Sequence, residues 1–81
     1  MKEYPHIGHL IKEQVALKGI KVSWLASKLN CHRNNIYKIY EKKWIDTDNL
    51  MKISLCIGYN FFTCLSDFYE SYDESLEDFE V

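Results

Sequence analysis

Four consecutive residues, His32-Arg33-Asn34-Asn35, set an imidazole, a guanidinium and two carboxamides side by side with no apolar residue among them. A guanidinium donates parallel hydrogen bonds from a planar fork, and a carboxamide offers a donor and an acceptor together. Lys38 follows Asn34 by four residues, one helical turn on, and adds an ammonium. Such groups recognise partners that present paired hydrogen-bonding atoms. Machinery for bond breaking is missing from the chain: there is no nucleophile motif, no Gly-rich phosphate loop and no carboxylate pair in an apolar frame. Enzymatic activity therefore has no support. His6 and His9 are three apart, a spacing that could hold a metal, but no other ligand stands beside them. They read as surface or helix-end histidines, and neither a metal nor a cofactor is expected.

The elements that must position these groups are short helices. Pro5 suits the start of a helix, and Ile7, Leu10, Ile11, Val15 and Leu17 form an apolar stripe that Gly19 closes. In Ser23–Glu41, Trp24, Leu25, Ala26 and Leu29 make one helical pattern, with Ser23 as its N-cap. Ile36, Ile39 and Tyr40 make the next, at i, i+3, i+4. Asn30 lies between them and tolerates the left-handed backbone that ends a helix sharply. Trp44 reads as a core plug under the following loop. Asp46-Thr47-Asp48-Asn49 starts a helix carrying Leu50, Ile53 and Ile57, which Gly58 ends. Asn60 caps a last helix with Phe61, Phe62, Leu65, Phe68 and Tyr69. The expected fold is all-α, a compact five-helix bundle with helices over about 6–18, 23–30, 33–41, 47–57 and 60–70. The expected core is Ile7, Leu10, Ile11, Val15, Leu25, Ala26, Leu29, Ile36, Ile39, Leu50, Ile53, Ile57, Phe61 and Leu65.

With 81 residues, 47% of them hydrophobic, the chain is a single globular domain by expectation. Residues 1–70 form that domain and 71–81 an acidic tail. No run approaches the length of a membrane span and no signal peptide is evident. Three cysteines, Cys31, Cys56 and Cys64, without CxxC spacing, fit reduced thiols and a cytoplasmic location. The net charge of −2 hides a division. Residues 1–43 hold nine Lys and Arg against three acids, a balance of +6, and residues 44–81 hold one Lys against nine acids, a balance of −8. Such asymmetry suggests a polyanion-binding face joined to an acidic remainder. In the tail, Leu76 and Phe79 are three apart and could dock on the body or on a partner.

The stretch SWLASKLNCHRNNIYKIYE resembles the helix-turn-helix of the lambda-repressor and Cro type, the XRE family of regulators. Ala26 is small where two helices cross, Asn30 stands where that family usually has Gly, and Ile36 follows Ala26 by ten residues as the β-branched core plug. Leu55-Cys56-Ile57-Gly58-Tyr59-Asn60-Phe61 also resembles the family's turn into its fifth helix. The resemblance covers about residues 7–67 and rests on pattern and spacing.

The resemblance implies a transcription regulator that binds double-stranded DNA sequence-specifically, with helix 33–41 in the major groove. Arg33, read as lying on the side opposite Ile36 and Ile39, suits guanine, Asn34 or Asn35 suits adenine, and Lys38 could reach a base or a phosphate. Lys21, Ser23, Lys28, His32, Lys42 and Lys43 are the phosphate candidates. Lys42 and Lys43 equally suit a helix C-terminus through its dipole. A homodimer through Phe62, Phe68 and Tyr69 of the last helix is expected. The alternative is a protein-interaction module, antitoxin-like or an anti-regulator subunit, working through its acidic half.

Overall fold

A computed structural model describes residues 4–71. They form five α-helices and, among the described residues, no strand: α1 Ile7–Leu17, α2 Val22–Lys28, α3 Arg33–Tyr40, α4 Thr47–Ile57 and α5 Phe62–Ser71. These bounds agree with the expected ranges to within one or two residues at each end. The acidic segment beyond Ser71, with Leu76 and Phe79, lies outside the described residues.

One device closes three of the helices. Gly19, Asn30 and Gly58 take positive φ of 66°, 59° and 76°. The residue after each reaches back five positions: Ile20 N–H to Val15 O at 3.0 Å, Cys31 N–H to Ala26 O at 2.9 Å, and Tyr59 N–H to Ser54 O at 3.1 Å. These bonds satisfy carbonyls that a helix end leaves orphaned. The turn between α2 and α3 is thus made by Asn30, in the backbone its side-chain type allows. At the helix starts, Asp46 Oδ1 accepts from Asn49 N–H at 2.7 Å and Asn60 Oδ1 from Phe62 N–H at 3.0 Å. Ser23 is not the N-cap of α2. That helix opens one residue earlier, with Leu25 N–H bonded to Lys21 O at 3.1 Å, so Lys21 holds the cap position without a side-chain bond and Ser23 is the second helical residue.

The buried apolar residues are Ile7, Ile11, Val15, Leu25, Ala26, Ile36, Tyr40, Leu50, Ile53, Ile57 and Phe61. All but Tyr40 belong to the expected core, while Leu10, Leu29 and Ile39 are half-buried against it. Two expectations fail. Leu65 is 38% exposed, because α5 is anchored by the wholly buried Phe61 just before its first turn and buries no residue of its own completely. Trp44 is 63% exposed, and Tyr40 and Ile45 enter the core from that stretch instead.

The start of α1 meets the end of α3 through backbone. Ile7 N–H donates to Lys43 O at 2.7 Å, and Gly8 N–H to Lys42 O at 2.9 Å. The approach is close enough that a Cβ on Gly8 would fall against Ile39 O and at 2.5 Å from both Lys42 O and Tyr40 O. All three obstacles are main-chain atoms, which cannot swing aside. Alanine in a helix ordinarily gains up to about 1 kcal/mol over glycine. Here the sign reverses: Gly8→Ala should lose about 1–3 kcal/mol by overpacking. Gly19 has open space around it and a positive φ, so Gly19→Ala should cost only local backbone strain, about 1–2 kcal/mol. Urea unfolding of both variants checks this, and a stabilised Gly8→Ala would contradict the contact.

Candidate nucleic-acid interface

α3 is held from one side only. Ile36 and Tyr40, four apart, are buried, and Ile39 is half-buried beside them. Burial raises the Tyr40 phenol above its usual pKa, with the nearby Tyr37 adding to the effect, so Tyr40 stays neutral beneath the helix. The remaining α3 residues, Arg33, Asn34, Asn35, Tyr37 and Lys38, are exposed. At about 100° per residue, Asn34 and Lys38 stand on the crest opposite Ile36. Arg33 does not: three residues before Ile36 places it roughly 60° away, on the flank that faces α2.

Two shallow concavities run along α3. One, of about 350 Å³, is lined by Ser23, Ala26, Ser27, Cys31, His32 and Arg33, where the start of α3 meets α2. The other, of about 260 Å³, is lined by Leu29, Cys31, Asn35, Lys38, Ile39, Lys42 and Asn49, on the side of α4. The fold therefore brings Ser23, His32 and Arg33 together on one side, and Asn35, Lys38 and Lys42 on the other. Lys21, Lys28 and Lys43 line neither. Lys28 Nζ lies 5.6 Å from the Trp24 ring, and Lys43 Nζ lies 5.8 Å from Tyr4 and 5.4 Å from Trp44. The ammonium groups sit over these ring faces while both lysines stay exposed.

His32 has a backbone task. It is the N-cap of α3, and its Nδ1 accepts from Asn34 N–H at 3.1 Å. An imidazole that accepts at Nδ1 in its neutral form carries its proton on Nε2, which leaves a donor for a partner. His6 caps α1 in the same way, accepting from His9 N–H at 3.1 Å, with the two rings stacked at 3.5 Å. That pair is a helix-start device.

Lys42 and Lys43 serve the fold through their carbonyls, which are bonded to α1. Among the described residues their ammonium groups make no hydrogen bond to a helix end. The ion pair found there is Lys52–Asp48 at 3.0 Å on α4, so no described carboxylate neutralises Arg33, Lys38, Lys42 or Lys43. The acid adjoining this row is Glu41, the C-cap of α3.

The same surface contains residues that the sequence reading passed over. Tyr37 is 50% exposed, one turn after Arg33; Ser27 is one turn after Ser23; and Asn49 borders the second concavity. Spacing by four from a chosen residue was the available signal for the first two. No family model, no curated protein and no solved structure shows a significant match to this chain. Among the described residues, no helix is long and apolar enough to cross a membrane.

Proposed function

We propose that this chain is a sequence-specific double-stranded DNA-binding regulator of the XRE type, with α3 as its reading helix. The observation that carries the reading is the polar crest of α3. The helix is pinned through Ile36 and Tyr40, while Asn34 and Lys38 on the crest and Arg33 on the α2 flank stay exposed, and no described acid neutralises Arg33 or Lys38. An α-helix fits the major groove, where guanine offers two acceptors to a guanidinium and adenine a donor–acceptor pair to a carboxamide. Ser23, Ser27 and His32 on one flank, and Lys42 on the other, suit the phosphates of the two groove walls, and Lys43 lies just past the helix end. Such contacts fix register without reading sequence.

A second copy completes the reading. One eight-residue helix spans only about 12 Å, a single half-site. α5, with Asp67 and Glu70 and no Lys or Arg, is opposite in charge to the α3 end, and α4 and α5 leave Met51, Leu55 and Tyr69 exposed. A groove of about 540 Å³ lined by Met51, Ser54, Leu55, Gly58, Tyr59, Asn60 and Phe62 runs beside them. Phe68 is less available than expected, since it packs on Tyr4 with ring centroids 4.9 Å apart. The dimer contact we propose therefore uses Phe62 and Tyr69 with Met51 and Leu55.

Selection of bound duplexes from a random pool supplies the preferred site, and two substitutions then separate reading from positioning. On that site Arg33→Ala should lose about 1–3 kcal/mol and relax the preference at one base pair. Lys43→Ala should weaken all duplexes alike and lower the salt slope by about one. Equal weakening of preferred and scrambled duplexes by Arg33→Ala would make Arg33 a phosphate contact and contradict its role. Sedimentation should show dimers on a site whose half-sites are about 34–36 Å apart. A pure monomer, free and DNA-bound, would remove the dimer.

A further inference from the structure

Residues 72–81, YDESLEDFEV, contain Asp73, Glu74, Glu77, Asp78 and Glu80 and no Lys or Arg, a formal charge of −5. The contacts of α5 show where this segment departs. Phe68, in the last turn of α5, packs on Tyr4 at 4.9 Å, and Tyr4 meets Trp44 edge-on at 6.0 Å. The Lys43 ammonium lies over both the Tyr4 and Trp44 rings. Ser71 Oγ donates to Phe68 O at 3.0 Å at the last described residue. Three residues of helix advance about 4.5 Å, so Ser71 lies within one helical turn of the Phe68–Tyr4 contact over which Lys43 sits. From there the whole of α3 is about 12 Å long, whereas ten extended residues reach about 33–36 Å.

We propose that residues 72–81 bind the basic face formed by α3 with Lys42 and Lys43, as an intramolecular competitor for nucleic-acid phosphate. Arg33, Lys38, Lys42 and Lys43 lack a described carboxylate partner, and the segment that continues from Ser71 holds five carboxylates. A single exposed ion pair is weak. Tethering compensates, because a short linker holds the segment at an effective concentration on the order of mM. Duplexes held by phosphate contacts alone then meet an occupied face. A duplex that also offers base contacts displaces the segment, so non-specific binding is suppressed more than specific binding. This consequence rests on the DNA-binding reading; the contact between segment and face does not.

The test uses the full chain with Asp73→Asn, Glu74→Gln, Glu77→Gln, Asp78→Asn and Glu80→Gln combined. Amide spectra without DNA, at about 50 mM salt, should differ from the unaltered chain over Arg33–Lys43, and the difference should vanish near 1 M salt, where the Debye length falls to about 3 Å. A synthetic peptide of residues 72–81 added to the variant should move the same amides back. A mixed-sequence duplex should bind the variant on the order of tenfold more tightly at about 50 mM salt, with the gap closing by about 200 mM. Amide changes confined to the substituted residues overturn the proposal, even if duplex affinity rises, because the charge then acts only at a distance. Changes over Arg33–Lys43 with no duplex binding by either protein uphold the contact and defeat the DNA reading. Duplex binding equal in both proteins, with α3 unchanged, defeats the tail and leaves the DNA reading standing.

Discussion

The placement of α3 depends on a backbone-to-backbone contact that only glycine permits. Ile7 and Gly8 donate to the carbonyls of Lys43 and Lys42, so the start of α1 is set against the end of α3. The carbonyls just past α3 satisfy N–H groups that the start of α1 would leave orphaned, and the positive end of one helix dipole faces the negative end of the other. With that end fixed and Ile36 buried in the core, the start of α3 is the end left to face outward. The lysines after α3 acquire two separate duties as a result. Their carbonyls hold α1, and their side chains remain on the surface.

Local chemistry was legible where a residue type alone dictates backbone or cap geometry. Asn30 ends α2 with a left-handed φ, Gly58 ends α4, and Asp46 and Asn60 cap as their side chains suggest. Period was legible too, since most of the apolar stripe residues are buried. Tertiary relations were hidden. Gly8 in a first turn looks like an indifferent choice, because nothing nearby in sequence reveals the carbonyls of α3 that press on it. Trp44 looked like a plug by size, yet Tyr40 is better placed, four residues after Ile36 on the same helical face. Arg33 differs from these: its offset of three from Ile36, visible in the sequence, already turns it from the crest to the flank where it joins Ser23 and His32.

On the proposed reading these particulars have a common sense. A helix that reads a groove needs a rigid far side, a polar crest and cations along both flanks. Asn34 and Lys38 on the crest, with Arg33 at the inner edge of the α2 flank, would meet base edges, Ser23, Ser27, His32 and Lys42 along the two concavities would meet the sugar–phosphate walls, and the acidic half would stay away from the duplex. Charge segregation then steers the approach, since a basic face beside an acidic one orients the molecule before contact. The acidic segment that follows α5 would sharpen the same discrimination from within the chain.

The most direct measurement is an amide-shift footprint of the isotopically labelled chain on titration with its selected duplex at low salt. The account predicts changes concentrated at Ser23, Ser27, Arg33–Lys38, Lys42 and Lys43, with α4 and α5 quiet apart from the dimer groove near Met51 and Phe62. An unchanged α3, with shifts at α4 and α5 or nowhere, would contradict it.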